Sequence, residues 1–256
     1  MENLKELIEV VRVLRSPEGC PWDREQTHES LKPNMLEETY EAIDAIDNND
    51  MKHLKEELGD VLLQVLLHAQ IASEEGRFNI EDVAKVLKDK LIYRHPHVFA
   101  DVSVNNSGEV IQNWEKLKLI EKSHRKSAMD GICKSQPALM SARQISRKAV
   151  KKGFEWPNEE TLYECIFSEF EEFKTAETHA HKEEELGDIL FAIVNLARWN
   201  NIDAEQALLK ANKKFMERFR KMEILAEALS QKHAAKPLEE YSFEEYDALW
   251  KEVKKG

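Results

Sequence analysis

Acidic side chains recur in one arrangement twice along this chain. The first set reads Glu37-Glu38-Thr39-Tyr40-Glu41, followed by Glu57-Leu58-Gly59-Asp60. The second reads Ser168-Glu169-Phe170-Glu171-Glu172, followed by Glu185-Leu186-Gly187-Asp188. On a helix, acids three or four residues apart share one face. Two such faces brought together hold four carboxylates in one place. Like charges that close are costly unless a cation neutralises them or protons are taken up. All-oxygen ligation suits a hard divalent cation such as magnesium. One Glu-x-x-Asp on a helix is commonly no more than a solvated face. Here each pair sits at the start of a strongly apolar stripe, which sets it near a buried surface.

A basic pair follows each acid set: Lys90 and Arg94, then Lys214 and Arg218, each one helical turn apart. Such cations suit phosphate oxygens, Arg by a bidentate fork and Lys as a point charge. Either pair alone reads as surface charge; following both acid sets, the pairs read equally well as phosphate contacts. Trp22, Trp156 and Trp250 could stack on a nucleobase or plug gaps between helices, and the plug is the expectation for the first two. The His95-Pro96-His97 and His179-Ala180-His181 pairs are expected to be structural or solvated. Glu25/His28 and Glu121/His124 have di-iron spacing but lie outside the apolar-striped helices. The chain has no P-loop, no GxGxxG and no nucleophile elbow.

These residues need helices to position them. Apolar residues recur at helical spacing over 4–15, 34–47, 51–74 and 183–199; 80–93, 138–151, the highly charged 109–124, the acidic 159–177, the polar 203–232 and the tail 243–253 also read as helices. Residues 17–23 and 153–157 read as loops, and 101–108 as a polar linker. No segment alternates like a strand. The order of elements in the first half recurs in the second, as an internal duplication would give. Two domains are therefore expected, 1–126 with a charged linker helix and 127–256. Residues 51–74 are apolar on nearly all sides, which predicts burial against a second subunit or the other repeat.

The 256 residues carry a net charge of -12, which disfavours a grip on nucleic acid. A phosphorylated small molecule remains compatible, because a bound cation inverts the local field. Cys20, Cys133 and Cys165 form no CxxC pair and read as free thiols of a reducing cytoplasm. The start lacks signal-peptide character, and the apolar runs at 61–67 and 189–197 are too short to span a bilayer.

With these motifs in view, the chain resembles the MazG-type nucleoside triphosphate pyrophosphohydrolases, whose signature is EExxE…ExxD. Cys20-Pro21-Trp22-Asp23, Glu37-Glu38-Thr39-Tyr40-Glu41, Glu56-Glu57-Leu58-Gly59-Asp60 and Arg94-His95-Pro96-His97-Val98-Phe99 resemble the first domain of tandem members. Gly153-Phe154-Glu155-Trp156, Glu184-Glu185-Leu186-Gly187-Asp188 and Lys210-Ala211-Asn212-Lys213-Lys214-Phe215 resemble the second. The resemblance implies an all-α fold of two tandem domains that dimerise into four-helix cores. It also implies dependence on magnesium, with manganese as a possible substitute, and hydrolysis of a nucleoside triphosphate to monophosphate and pyrophosphate.

Carried over by position, the resemblance makes Glu169, Glu172, Glu185 and Asp188 the metal ligands of the second domain. Glu38, Glu41, Glu57 and Asp60 match them in the first. Lys214, Arg218 and Trp250 would contact the nucleotide, with Lys90 and Arg94 as the first-domain basic pair. Ser168 stands where the family's first glutamate is expected, and Gln144 where a basic residue is common. A carboxylate that orients water would be Glu37 in the first domain. In the second, Glu171 or a metal ligand would serve. The alternative is a non-catalytic dimeric module that binds nucleotide and magnesium. A plain helical scaffold would bind neither.

Overall fold

The computed structural model describes residues 2–121, 125–233 and 238–254. No strand occurs among them, so the fold is all-α as the periodicity requires. The chain divides into two compact units, Met1–Ser123 and His124–Gly256.

In the first unit, α1 (Glu2–Leu14) is followed by the short α2 (Pro21–Glu25), then α3 (Lys32–Asp47), α4 (Met51–Glu74), α5 (Ile80–Arg94), α6 (Pro96–Phe99) and α7 (Ser107–Glu121). Helices α3 and α4 form an antiparallel hairpin. Asn49 closes it in the left-handed region at φ 53°, where asparagine is among the better-tolerated residues. Asp50 then caps α4 by accepting from the backbone N–H groups of Lys52 and His53. Helix α1 and the start of α5 pack on the far half of α4. There Val11, Leu31, Leu66, Leu67 and Ile71 form the core.

The second unit repeats the plan. It contains α8 (Ala138–Val150), α9 (Glu159–Thr175), α10 (His179–Trp199), α11 (Ala204–His233) and α12 (Phe243–Val253). Helices α9 and α10 form the matching hairpin, α8 packs on α10, and α12 packs on α11. Leu162, Ile166 and Ala192 form one core cluster; Met222, Ala226, Leu249 and Val253 form another.

Each hairpin is tied to its preceding loop by one arginine. Arg15 reaches Glu74 at 2.8 Å and also donates to the backbone carbonyls of Asp23 and Gln26. Arg198 grips Glu155 with both terminal nitrogens, at 2.6 and 2.7 Å, and donates to Ser146 Oγ at 2.7 Å. Buried Asn195 accepts from the same hydroxyl at 2.5 Å.

Several boundaries differ from the sequence reading. The expected loop at 17–23 contains the start of α2, because Pro21 is pre-set for a first helical position. Helix α7 begins inside the expected linker 101–108. Helix α10 begins at His179, not 183, because Thr178 caps it by accepting from His181 N–H. The apolar stripe starts later and hides that first turn. The expected helix end at 122–124 lies outside the described residues. Within its own unit α4 is most buried from Gln64 to Ala72, against helices of that same unit, while Leu58 is exposed.

Candidate metal and nucleotide site

In each hairpin the acids converge. One carboxylate oxygen from each of Glu38, Glu41 and Glu57 lies within 4.8 Å of the others, and Glu169, Glu172 and Glu185 repeat this in the second unit. The helix–turn–helix geometry is responsible. Glu38 and Glu41 share a face of α3, and Glu57 and Asp60 share the facing side of α4. Asp60 and Asp188 belong to the same electrostatic groups. Burial and then Asp60, Glu41 and Glu57 push the Glu38 carboxyl above its ordinary value. Burial and then Asp188 and Glu172 do the same to Glu169. Among the described residues no lysine or arginine bridges either cluster.

The second helix of each hairpin supplies the buried acid. Glu57 is 5% exposed and Glu185 is 7% exposed. The Oε2 of Glu57 is buried and accepts no hydrogen bond, an expensive state for a carboxylate oxygen. Donors made only of carboxylate oxygen, one of them orphaned, fit a hard divalent cation. The two histidines one turn before these acids are contacts that the sequence reading missed. His53 Nε2 lies 2.7 Å from Glu57 Oε1, and His181 Nε2 lies 2.9 Å from Glu185 Oε1. Their spacing of four residues was the available signal.

Glu37 is exposed at the edge of the first cluster. In the second unit Ser168 takes that edge and donates to Glu172 Oε1 at 3.0 Å. Glu171 points elsewhere, pairing with Lys174 at 2.6 Å on the exposed side of α9. Cys165 Sγ approaches Glu169 Oε1 at 3.8 Å. Burial, followed by Glu169, raises its thiol pKa. Gln144 accepts from the Gln136 side chain at 3.1 Å.

The basic and aromatic residues divide. Trp250 is half-buried against α11, with its ring 5.3 Å from Phe215, the residue next to Lys214. Lys214 is exposed on the same helix and Arg218 half-buried. Arg94 instead pairs with Glu121 of α7 and lies 5.5 Å over the Trp114 ring. No described hydrogen bond or ion pair joins Lys90 or Arg94 to the first acid cluster. Trp156 packs against Leu162, Ile166 and Ala192, as a plug does. Trp22 is 56% exposed, so the expected plug is not formed there within the unit. His28 of the discounted Glu25/His28 pair stacks on His68, with Nδ1 atoms 2.7 Å apart; its counterpart His124 lies outside the described residues.

Two stretches of the chain, 26–99 and 158–222, match the MazG nucleotide pyrophosphohydrolase domain. The chain belongs to the MazG family. The matched stretches take in α3 to α5 and α9 to most of α11, so both acid clusters fall inside MazG repeats. The chain is 50% identical over 253 residues to a nucleoside triphosphate pyrophosphohydrolase/pyrophosphatase MazG of Thermotoga maritima, covering 98% of this chain and 96% of the relative. It is 43% identical over 265 residues to a nucleoside triphosphate pyrophosphohydrolase of Escherichia coli, covering 100% and 98%. An uncharacterized Bacillus subtilis protein, YabN, is 46% identical over 250 residues, covering 96% of this chain and 50% of that protein.

Proposed function

We propose that this MazG protein hydrolyses nucleoside triphosphates, with ribose or deoxyribose, to the monophosphate and pyrophosphate. The observation that carries this is the double convergence of carboxylates within 4.8 Å in a chain built of two MazG repeats. Glu38, Glu41, Glu57 and Asp60 would hold the cation in the first unit. Glu169, Glu172, Glu185 and Asp188 would hold it in the second. Magnesium is the cation we favour, with manganese able to replace it. When bound, the ion supplies charge neutralisation and Lewis acidity toward the phosphoryl oxygens.

The chain's own residues supply the rest. Lys214 and Arg218 on α11 balance the charge of the departing pyrophosphate, and Trp250 offers a ring beside them for the base. Lys90 and Arg94 are the first-unit counterparts; Arg94 would have to exchange Glu121 for phosphate. Attack of water on the α-phosphorus breaks its bond to the bridging oxygen and needs an acceptor for the water's proton. Glu37 is placed for that role at the rim of the first cluster. In the second, Glu171 is held away by Lys174. In that geometry one of the cation ligands, Glu169 beside Ser168, would take the role.

We also propose a homodimer, formed over the exposed apolar faces of the hairpins. Phe167, Leu186, Leu190 and Ile193 stand open on the second hairpin, and Leu36, Tyr40 and Leu58 on the first. No helix among the described residues is long and apolar enough to cross a membrane. Three free cysteines suit a reducing cytoplasm, where we place the protein. The acidic surface leaves nucleic acid outside its partners.

The test is release of pyrophosphate and orthophosphate from a panel of NTPs and dNTPs, with and without magnesium. Glu57→Ala and Glu185→Ala are run beside the parent chain. Magnesium-dependent pyrophosphate with an equal amount of monophosphate is expected, and the sensitive variant identifies the working unit. Ser168 favours a second reading, in which the helical repeats form a dimeric module that binds nucleotide and cation without chemistry. Nucleotide binding by calorimetry, with no product from any substrate, would establish it instead.

A further inference from the structure

The two histidines beside the buried glutamates share more than a contact. In both units a capping residue, a histidine, a glutamate and an aspartate stand at identical spacing: Asp50, His53, Glu57, Asp60 and Thr178, His181, Glu185, Asp188. Each histidine is the third residue of its helix. The capping side chain holds its backbone N–H, Asp50 Oδ1 at 3.0 Å and Thr178 Oγ1 at 3.2 Å. The ring then reaches one turn down and bonds one oxygen of the single buried acid of its cluster. Neighbouring positions differ between the units: Glu37 becomes Ser168 at the rim of the cluster. The histidine does not differ.

A glutamate three bonds from its backbone has freedom at each torsion, and a cation site needs that freedom removed. A carboxylate is acceptor-only, so an imidazole Nε2–H pointing at it fixes one oxygen and aims the other. In Glu57 the histidine takes Oε1, and Oε2 is the buried oxygen with no hydrogen bond. The ring itself is half exposed, 46% for His53 and 51% for His181, so the fold gains little packing from it.

We infer that His53 and His181 are positioning residues that orient Glu57 and Glu185 toward a divalent cation. This rests on the reading of the acid clusters as cation sites. The test therefore measures cation binding directly, by the loss of free Mn2+ signal in electron paramagnetic resonance of the full chain. Each cluster is read in a background where the other is disabled, Glu185→Ala for the first and Glu57→Ala for the second. His53→Ala and His181→Ala are expected to weaken Mn2+ binding by about tenfold or more. His53→Gln and His181→Gln, which restore an N–H donor, recover most of it. Far-UV circular dichroism and melting temperature of the metal-free variants stay near parental values. Alanine variants that bind as tightly as their backgrounds, or glutamine variants as weak as alanine, overturn the inference. Absence of Mn2+ binding in both backgrounds overturns the cation-site reading itself, and the positioning role with it.

Discussion

At the residue scale, the proposed cation sites imply a trade of stability for binding. Glu57 is buried with an orphaned oxygen among like charges. Glu57→Gln keeps the acceptor for His53 and removes the charge. The metal-free variant is expected to melt a few degrees above the parent, and to lose the part of the magnesium-induced rise that the first cluster supplies. Differential scanning fluorimetry with EDTA and with magnesium measures both. The raised carboxyls of Glu38 and Glu169 set a second expectation. A carboxyl raised in the folded state binds protons more readily folded than unfolded, so its contribution improves as pH falls. In EDTA, melting temperature should rise as pH drops through the raised values toward the ordinary glutamate value of 4.5. Glu74 has the opposite sign. The side-chain bond from Arg15 lowers its pKa, so its stabilisation is present above 4.5 and is lost as pH falls through the lowered value. The rise above 4.5 should be shallower in the Glu38→Gln, Glu169→Gln double variant. An unchanged slope would assign it to the net charge of -12 alone.

At the element scale, α4 and α10 each carry a glycine between the two acids. A mid-helix glycine costs roughly 0.5–1 kcal/mol relative to alanine. Around Gly59 and Gly187 nothing lies within 4 Å of where a Cβ would stand. Packing inside the unit therefore does not require either glycine. The bare backbone beside Leu58 and Leu186 suits the close approach of a partner helix or of a nucleotide. Gly187→Ala should stabilise the isolated second unit by about 0.5–1 kcal/mol in urea unfolding, while weakening dimerisation or raising KM in the full chain. A full chain with unaltered mass and kinetics would show that nothing approaches there.

At the scale of the whole molecule, two units repeat one plan, and we propose that they fold as separate domains, 1–126 and 127–256. Each hairpin leaves large apolar side chains open; Leu190 is 50% exposed. Burying apolar surface contributes about 25 cal/mol per Å2, so these faces are strong candidates for subunit contact. Leu190→Glu is expected to weaken the proposed dimer, read as a fall in mass by light scattering after size exclusion. If the parent chain already runs at the 29.8 kDa of one chain, the homodimer is wrong.

The sequence by itself determined whatever depends on local spacing. The 3.6-residue period marks the long helices, and acids three and four apart mark the candidate clusters. The duplication, the absence of strands and the resemblance to MazG were legible for the same reason. Tertiary structure decided what depends on the angle at which two helices meet. It brought Glu41 to Glu57 and Glu172 to Glu185 across hairpins. It sent Arg94 to Glu121, and it plugged Trp156 while leaving Trp22 exposed. The first turn of α10 is polar and held by Thr178, so apolar stripes do not mark it, and His181, expected to be structural or solvated, bonds Glu185 from there. A side chain's type and register are written in the chain, but its partner is chosen by packing, where a rotation of one helix by a single residue moves a carboxylate from a shared site to open water.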